Sequence, residues 1–351
     1  MTETDEAPVE VSEPPGKKPT KAPLRLPSIS LFSIFKRSPK VMGLTGVGIS
    51  PEGVCVTHVD RTEGTPALEV CDYKTYFNKE ELAEVLRALV ATHGLKGAHC
   101  TTVMEPGSYS LHLVDAPNVE PAEMRAAIRW RVKELIDFPV DDAVIDVFDV
   151  PGRNLRGQGG RMIYVVVANA AEIRQRIEII EGAGMKLGVI DIPELALRNV
   201  ASLLPEDREG VAILHLNQHS GLITLTRQET LYLARSINIG IERLHRLRMQ
   251  DISADSSGAT PALENALDSI VLEIQRSLDY YERHCSNPSI TKVVVTPLDD
   301  EIPGFMARIS RNLGAEVKPL LLDQNLQSFV LLHDSMLRNC LPTIGAALRH
   351  D

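Results

Sequence analysis

Between residues 121 and 150 the spacing of apolar positions changes once, sharply. Met124, Ala127, Ile128, Val132, Leu135 and Ile136 recur at the helical period and fall on one side of a helix. Asn118 or Glu120 can cap its start and Pro121 suits its first turn. Phe138-Pro139 stops it, because proline drives the preceding residue out of helical geometry. Beyond that proline, Val144, Asp146 and Phe148 alternate with Ile145, Val147 and Asp149, the period of a strand. Trp130, the only tryptophan, lies off the apolar stripe between Arg129 and Arg131. It either packs over a neighbouring element or faces a partner, since binding energy at interfaces concentrates in tryptophan and arginine.

The rest of the chain reads the same way. Residues 41–50 and 54–60 form strands around the turn Pro51-Glu52-Gly53, and 67–76 a third strand. Asn78 or Lys79 leads into a helix with Leu82, Val85, Leu86, Leu89 and Val90 on one face, ended by Gly94. A buried strand over 98–104 follows. Residues 106–184 read as an insertion: a strand over 108–115, the helix and strand above, a Gly- and Arg-rich loop over 152–161, a strand over 161–169 and a helix to Gly182 or Gly184. Residues 211–240 then repeat the hairpin-rich opening. A basic helix over 241–249, a linker over 251–262 and a long helix with Leu267, Ile270, Val271, Ile274, Leu278 and Tyr281 on one face come next. The pattern implies an α/β chain of two lobes. The first spans 41–105 and 185–209, with an α+β subdomain inserted at 106–184; the second spans 210–341; a closing helix covers 342–351.

Residues 1–40 form a tail of Pro, Ser, Glu and Lys that cannot bury a core. Its second part is basic and holds LPSISLFSIFKR, a composition suited to an anionic membrane surface or to docking on the domain. With 44% apolar and 24% charged residues the remainder is ordinary globular sequence. A net charge of -10 argues against nucleic acid as a partner. The five cysteines are scattered and form no CxxC, so neither a zinc site nor a disulfide framework is expected, and the thiols suit a reducing cytoplasm. No run approaches the length of a membrane span.

Four segments carry a family resemblance. AIRWRVKELIDFPVDDAVIDV resembles the inserted-subdomain helix of PilM-type proteins, roughly A-x-R-W-E-x-x-x-x-I-P-F-P-x-D-x-x-x-x-D. Ile190, Asp191, Ile192, Ala196 and Leu197 match V-D-I-x-x-x-A-L, EIQRSLDYY resembles E-I-x-R-S-L-x-F-Y, and IGAALR resembles the closing I-G-L-A-L-R. These are cytoplasmic type IV pilus assembly proteins with an actin-like fold, and the branch most similar to this chain is that of MshI, serving mannose-sensitive haemagglutinin pili. The resemblance implies an actin-like two-lobed fold and a bitopic inner-membrane partner, PilN-like or MshJ-like. The partner's N-terminal peptide would lie between the first lobe and the inserted subdomain, and Arg129, Trp130 and Arg131 are the candidate partner-binding residues.

The resemblance also implies a nucleotide pocket, and there the residues depart from it. An actin-like ATPase holds phosphates on two hairpins and positions magnesium and water with carboxylates. In place of G-x-D-x-G-x-x-S-V-K, this chain has Thr45 where the Asp belongs, with Gly46 and Gly48 as turn glycines or phosphate contacts and no lysine after. His215, Leu216 and Asn217 replace D-I-G, and Pro297-Leu298 replace a Gly-Gly pair, although Ile302-Pro303-Gly304 keeps the pattern. Asp299, Asp300 and Glu301 read as a solvated acidic run. The expectation is a degenerate pocket, no cofactor, no metal and no catalysis. ATP with magnesium belongs to the alternative, an active PilM-like ATPase of pilus or type II secretion assembly. A secretion L-type or FtsA-like protein would need a transmembrane helix or a C-terminal amphipathic helix, and the sequence shows neither.

Overall fold

The structure, a computed structural model, describes residues 42–350 apart from 63, 121–122, 151–160, 254–260, 286, 299–301, 303 and 323–324. The basic tail, most of the Gly- and Arg-rich loop and the acidic run 299–301 therefore lie outside the described residues.

The first sheet grows from the opening hairpin. β1 (Leu44–Ser50) and β2 (Gly53–Asp60) pair antiparallel around Pro51-Glu52, where proline supplies the φ a turn needs and donates no hydrogen bond. β3 (Ala67–Lys74) continues the meander. α1 (Lys79–Thr92) is capped by Asn78, whose side chain accepts from Glu81 N, and Gly94 leaves it in the left-handed region at φ 66°. β4 (His99–Val103) returns parallel to β1.

A second, smaller layer is inserted next. β5 (Tyr109–Asp115), α2 (Met124–Val132), β6 (Ala143–Asp149) and β7 (Met162–Asn169) make a sheet of order β5-β7-β6 with α2 on one face. Met124, Ile128 and Val132 pack there against Ala143, Ile163, Val165 and Val167. The helix starts later than the sequence suggests, with Glu123 rather than Asn118 or Glu120 at its cap. It also stops at Val132. The helical phase therefore does not reach Leu135, which is exposed, while Ile136 still packs on the cluster. α3 (Ala170–Gly182) leads back to β8 (Lys186–Asp191), parallel to β4, and α4 (Pro193–Ala201) follows.

The second half repeats the first. β9 (Val211–Leu216), β10 (Gly221–Arg227) and β11 (Thr230–Ile237) form the meander. α5 (Ile241–Ser253) and α6 (Pro261–His284) cross to β12 (Lys292–Val295), and α7 (Phe305–Leu313) to β13 (Glu316–Pro319), both strands parallel. β14 (Gln327–Ser328) then pairs with β3, and α8 (Asp334–Ala347) closes the chain. Apart from β14 at one edge, the sheet orders β14-β3-β2-β1-β4-β8 and β11-β10-β9-β12-β13 share one topology. This is an actin-like α/β fold with an inserted α+β layer.

α4 and α8 fill the space between the two sheets. Leu197, Val200, Leu341 and Ile344 pack against Leu68 of the first and Ile213 and Leu222 of the second. α8 lies backbone to backbone on its neighbours: a Cβ on Gly46 would stand 2.0 Å from Thr343 O, and one on Gly345 2.1 Å from Ala196 O. Two expectations are corrected here. The closing helix starts at Asp334, with Pro342 inside it rather than at its start. And a disulfide joins Cys55 of β2 to Cys340 of α8, their Cα atoms 5.8 Å apart. Their sequence separation of 285 hid that pairing from any spacing rule. Among the described residues no helix is long and apolar enough to cross a membrane.

Candidate ligand cleft and partner face

The β1–β2 and β9–β10 turns occupy equivalent places in the two sheets and border one cavity of about 380 Å³. Glu52 of the first turn meets His219 of the second, Oε1 to Nε2 2.9 Å, and His219 Nδ1 lies 3.2 Å from Glu242. The walls come from the end of β4, the start of α4 and one face of α8.

The sequence-derived residues do not all converge on this cavity. Gly48, His215 and Asn217 line it; Thr45, Gly46 and Pro297 do not. Strand parity explains Thr45. It shares a face with Val47, which packs with α1, and its hydroxyl pairs with His58 Nδ1 at 3.0 Å. The positions turned toward α8 and the cleft are Gly46 and Gly48, and the space beside Gly46 is taken by the Thr343 carbonyl. Both glycines sit inside β1, so they serve close helix approach rather than a turn. His215 is 4% exposed, with Nδ1 3.2 Å from Thr296 Oγ1. Burial, with the Arg338 charge adding to it, holds its pKa down at about 4, so the ring is neutral. Pro297 lines a separate cavity with Leu298 and Phe305.

Asn217 has a specific role. Its Oδ1 accepts from His219 N at 3.0 Å, Ser220 N at 2.7 Å and Ser220 Oγ at 3.1 Å. Those two backbone N–H groups are the donors a phosphate-holding hairpin would offer its ligand, and here the turn takes them up itself. The opposite turn has Pro51, which has no N–H, and Glu52, which adds a negative charge. The chemistry that sequence reasoning missed is acidic. Glu105, at the end of β4, is held up at about 7 by burial and by the neighbouring Glu52 charge. Glu194, in the first turn of α4, is buried and accepts from Tyr109 Oη at 2.7 Å. Burial raises its pKa, opposed by that hydrogen bond. These carboxylates come from separate segments, so no spacing rule could have grouped them.

The three candidate partner residues sit on α2, away from the cleft. Arg129 donates to Val140 O at 2.6 Å and pairs with Asp141, and Arg131 donates to Asp115 O at 2.5 Å. The arginines thus tie α2 to its own layer. Trp130 between them is 78% exposed.

A sequence model of the family described as type IV pilus assembly protein PilM matches residues 63–329. No curated protein matches the chain by sequence. Among solved structures, the PilM-PilN type IV pilus biogenesis complex superposes with a TM-score of 0.68 at 18% identity, over 88% of this chain and 98% of that one. The cytoplasmic domain of EpsL, an inner-membrane component of the type II secretion system of Vibrio cholerae, gives 0.46 at 9% identity, over 88% and 96%. MreB5 of Spiroplasma citri bound to ADP gives 0.43 at 9% identity, over 87% and 96%.

Proposed function

The chain belongs to the type IV pilus assembly protein PilM family, and on that premise we propose that it is a non-catalytic component of an inner-membrane pilus assembly platform. In this reading it works in the cytoplasm at the membrane and binds the N-terminal peptide of a bitopic PilN-like partner. The MshI-like sequence features suggest a system of the MSHA type, with an MshJ-like partner. The observation that carries the non-catalytic reading is the hydrogen-bond inventory of the cleft. One turn lacks a donor at Pro51, the other has its donors taken up by Asn217, and Glu52 and Glu105 face the space where phosphates would lie. A magnesium nucleotide needs the reverse: backbone donors for the phosphates and a carboxylate reserved for the metal.

The partner reading draws on two supports. The family model describes a pilus assembly protein, and Trp130 offers an open aromatic on a helix whose apolar stripe is already buried. Binding hot spots are made of such anchors. The test is calorimetric titration of the full chain with the cytoplasmic N-terminal peptide of its PilN-like partner. Saturable one-to-one binding is the expected result. Absence of binding, with the peptide shown to be monomeric, would refute the partner assignment.

A further inference from the structure

Three of the five cysteines converge on one face of α8, although nothing in their spacing groups them. Thr57 of β2 donates its hydroxyl proton to Thr343 O at 2.9 Å, which marks the side of the first sheet turned toward α8. Cys55 lies two residues before Thr57 and shares that side, and Cys71 of β3 is the residue paired with Thr57 across the ladder. Cys340 meets them from the helix, its Cα 5.8 Å from that of Cys55, a separation that suits a disulfide, and the two are joined. Cys71 stays a thiol. Burial, with the Asp72 charge adding to it, pushes its pKa up to about 12, so at neutral pH it holds almost no thiolate to exchange with the bond beside it. The bond therefore opens and closes with a reagent from outside, and Cys55 lines the cleft cavity by which a small one would enter.

Where the bond sits along α8 decides what it does. Residues 343–348 are buried, set closely against β1 at Gly46 and against α4 at Gly345. The other end is looser: Asp334 and Ser335 are exposed and Met336 is half-buried. Between the two ends lies Pro342, which has no N–H to give the preceding turn, so the helix lacks a backbone bond directly after Cys340. The disulfide thus ties to β2 the half of the helix that packing holds least. That half brings Arg338 and Asn339 to the cleft wall.

We propose that Cys55 and Cys340 form a reversible redox pair, locking the first half of α8 against β2 when oxidised and releasing it as two thiols when reduced. The reversibility rests on the cytoplasmic placement proposed above, since that compartment keeps most thiols reduced. The reagent is a small disulfide of the glutathione class. In the oxidising direction Cys55 attacks it, forming a mixed disulfide and releasing one small thiol with the proton that Cys55 gave up. Cys340 then loses its proton and attacks the Cys55 sulfur, closing the bond and releasing the second small thiol. Two electrons and two protons pass from the protein to the reagent, and reduction retraces the path.

The test equilibrates the purified full chain in glutathione buffers from fully reduced to fully oxidised. At each ratio exchange is quenched with acid, and free thiols are alkylated in denaturant and counted by mass. Five alkylated cysteines are expected at the reduced end and three at the oxidised end, with Cys55 and Cys340 in one cross-linked peptide. On oxidation the melting temperature should rise by about 4 °C or more, and amide exchange should slow in residues 334–341 far more than in 343–348. Cys55→Ala and Cys340→Ala should each abolish both responses, while Cys71→Ala should leave them intact. Alkylation of all five cysteines at every ratio overturns the proposal. So does a bond that full reductant leaves closed in the folded chain, or amide exchange in 334–341 that is indifferent to redox state. The cytoplasmic pilus reading stands or falls separately, on titration with the partner peptide.

Discussion

The cleft and the outer face of α2 treat their polar and aromatic groups in opposite ways. In the cleft the ligand-holding positions are turned inward: Asn217 bonds its own turn, the Thr343 carbonyl occupies the space beside Gly46, and Glu52 is paired with His219 across the gap. On α2 the arginines are engaged within the layer and the tryptophan between them is left open. On the proposed reading, the fold keeps the scaffold of a nucleotide site while the residues free to act lie elsewhere. What distinguishes the two places is less which residues are present than which of them are already satisfied.

The comparison can be broken most severely at Gly46. Gly46→Asp would supply a carboxylate on the cleft side of β1, yet its Cβ would stand 2.0 Å from a backbone carbonyl of α8. The expected cost is about 4 kcal/mol or more, read by urea denaturation, with no nucleotide affinity gained. Unfolding at the wild-type midpoint would show that α8 is not fixed there.

Next comes Trp130→Ala. Truncating an anchor of this kind costs about 2 kcal/mol or more of binding, so partner-peptide affinity should drop well over tenfold while the melting temperature hardly moves. A large fall in melting temperature with unchanged affinity would put the partner elsewhere.

Glu105 gives a pH signature of similar or smaller size. Its folded pKa of about 7 lies above the ordinary 4.5. Between those values the native state holds more protons than the unfolded one, so stability falls as pH rises through the window and levels off above it. Glu105→Gln should flatten the profile, with a gain of order 2 kcal/mol above neutrality and little at pH near 4. A parallel-shifted profile would mean that Glu105 titrates normally. The smallest effect is expected for Asn217→Ala, which releases two backbone donors and costs about 1 kcal/mol; faster amide exchange at His219 and Ser220 would report it.

Local structure was legible wherever neighbours in sequence decide it. Of the two starts offered for α1, Asn78 is the cap, and the buried face of α6 from Leu267 to Tyr281 follows from short-range rules. The start of α8 was not legible, since the helix begins at Asp334 and carries Pro342 inside it. Thr45 illustrates a sharper limit. A strand has two faces, so matching a motif one residue out of step points the chosen side chain away from the site. The cleft carboxylates and the Cys55–Cys340 pair were beyond reach, since only tertiary folding brings residues 52, 105 and 194, or 55 and 340, together.

The most direct measurement is calorimetric titration of the full chain with magnesium ATP. The account predicts no saturable heat at ordinary ligand concentrations, in a sample that still binds its partner peptide. Micromolar, magnesium-dependent binding would contradict it and restore the cleft as a working nucleotide site.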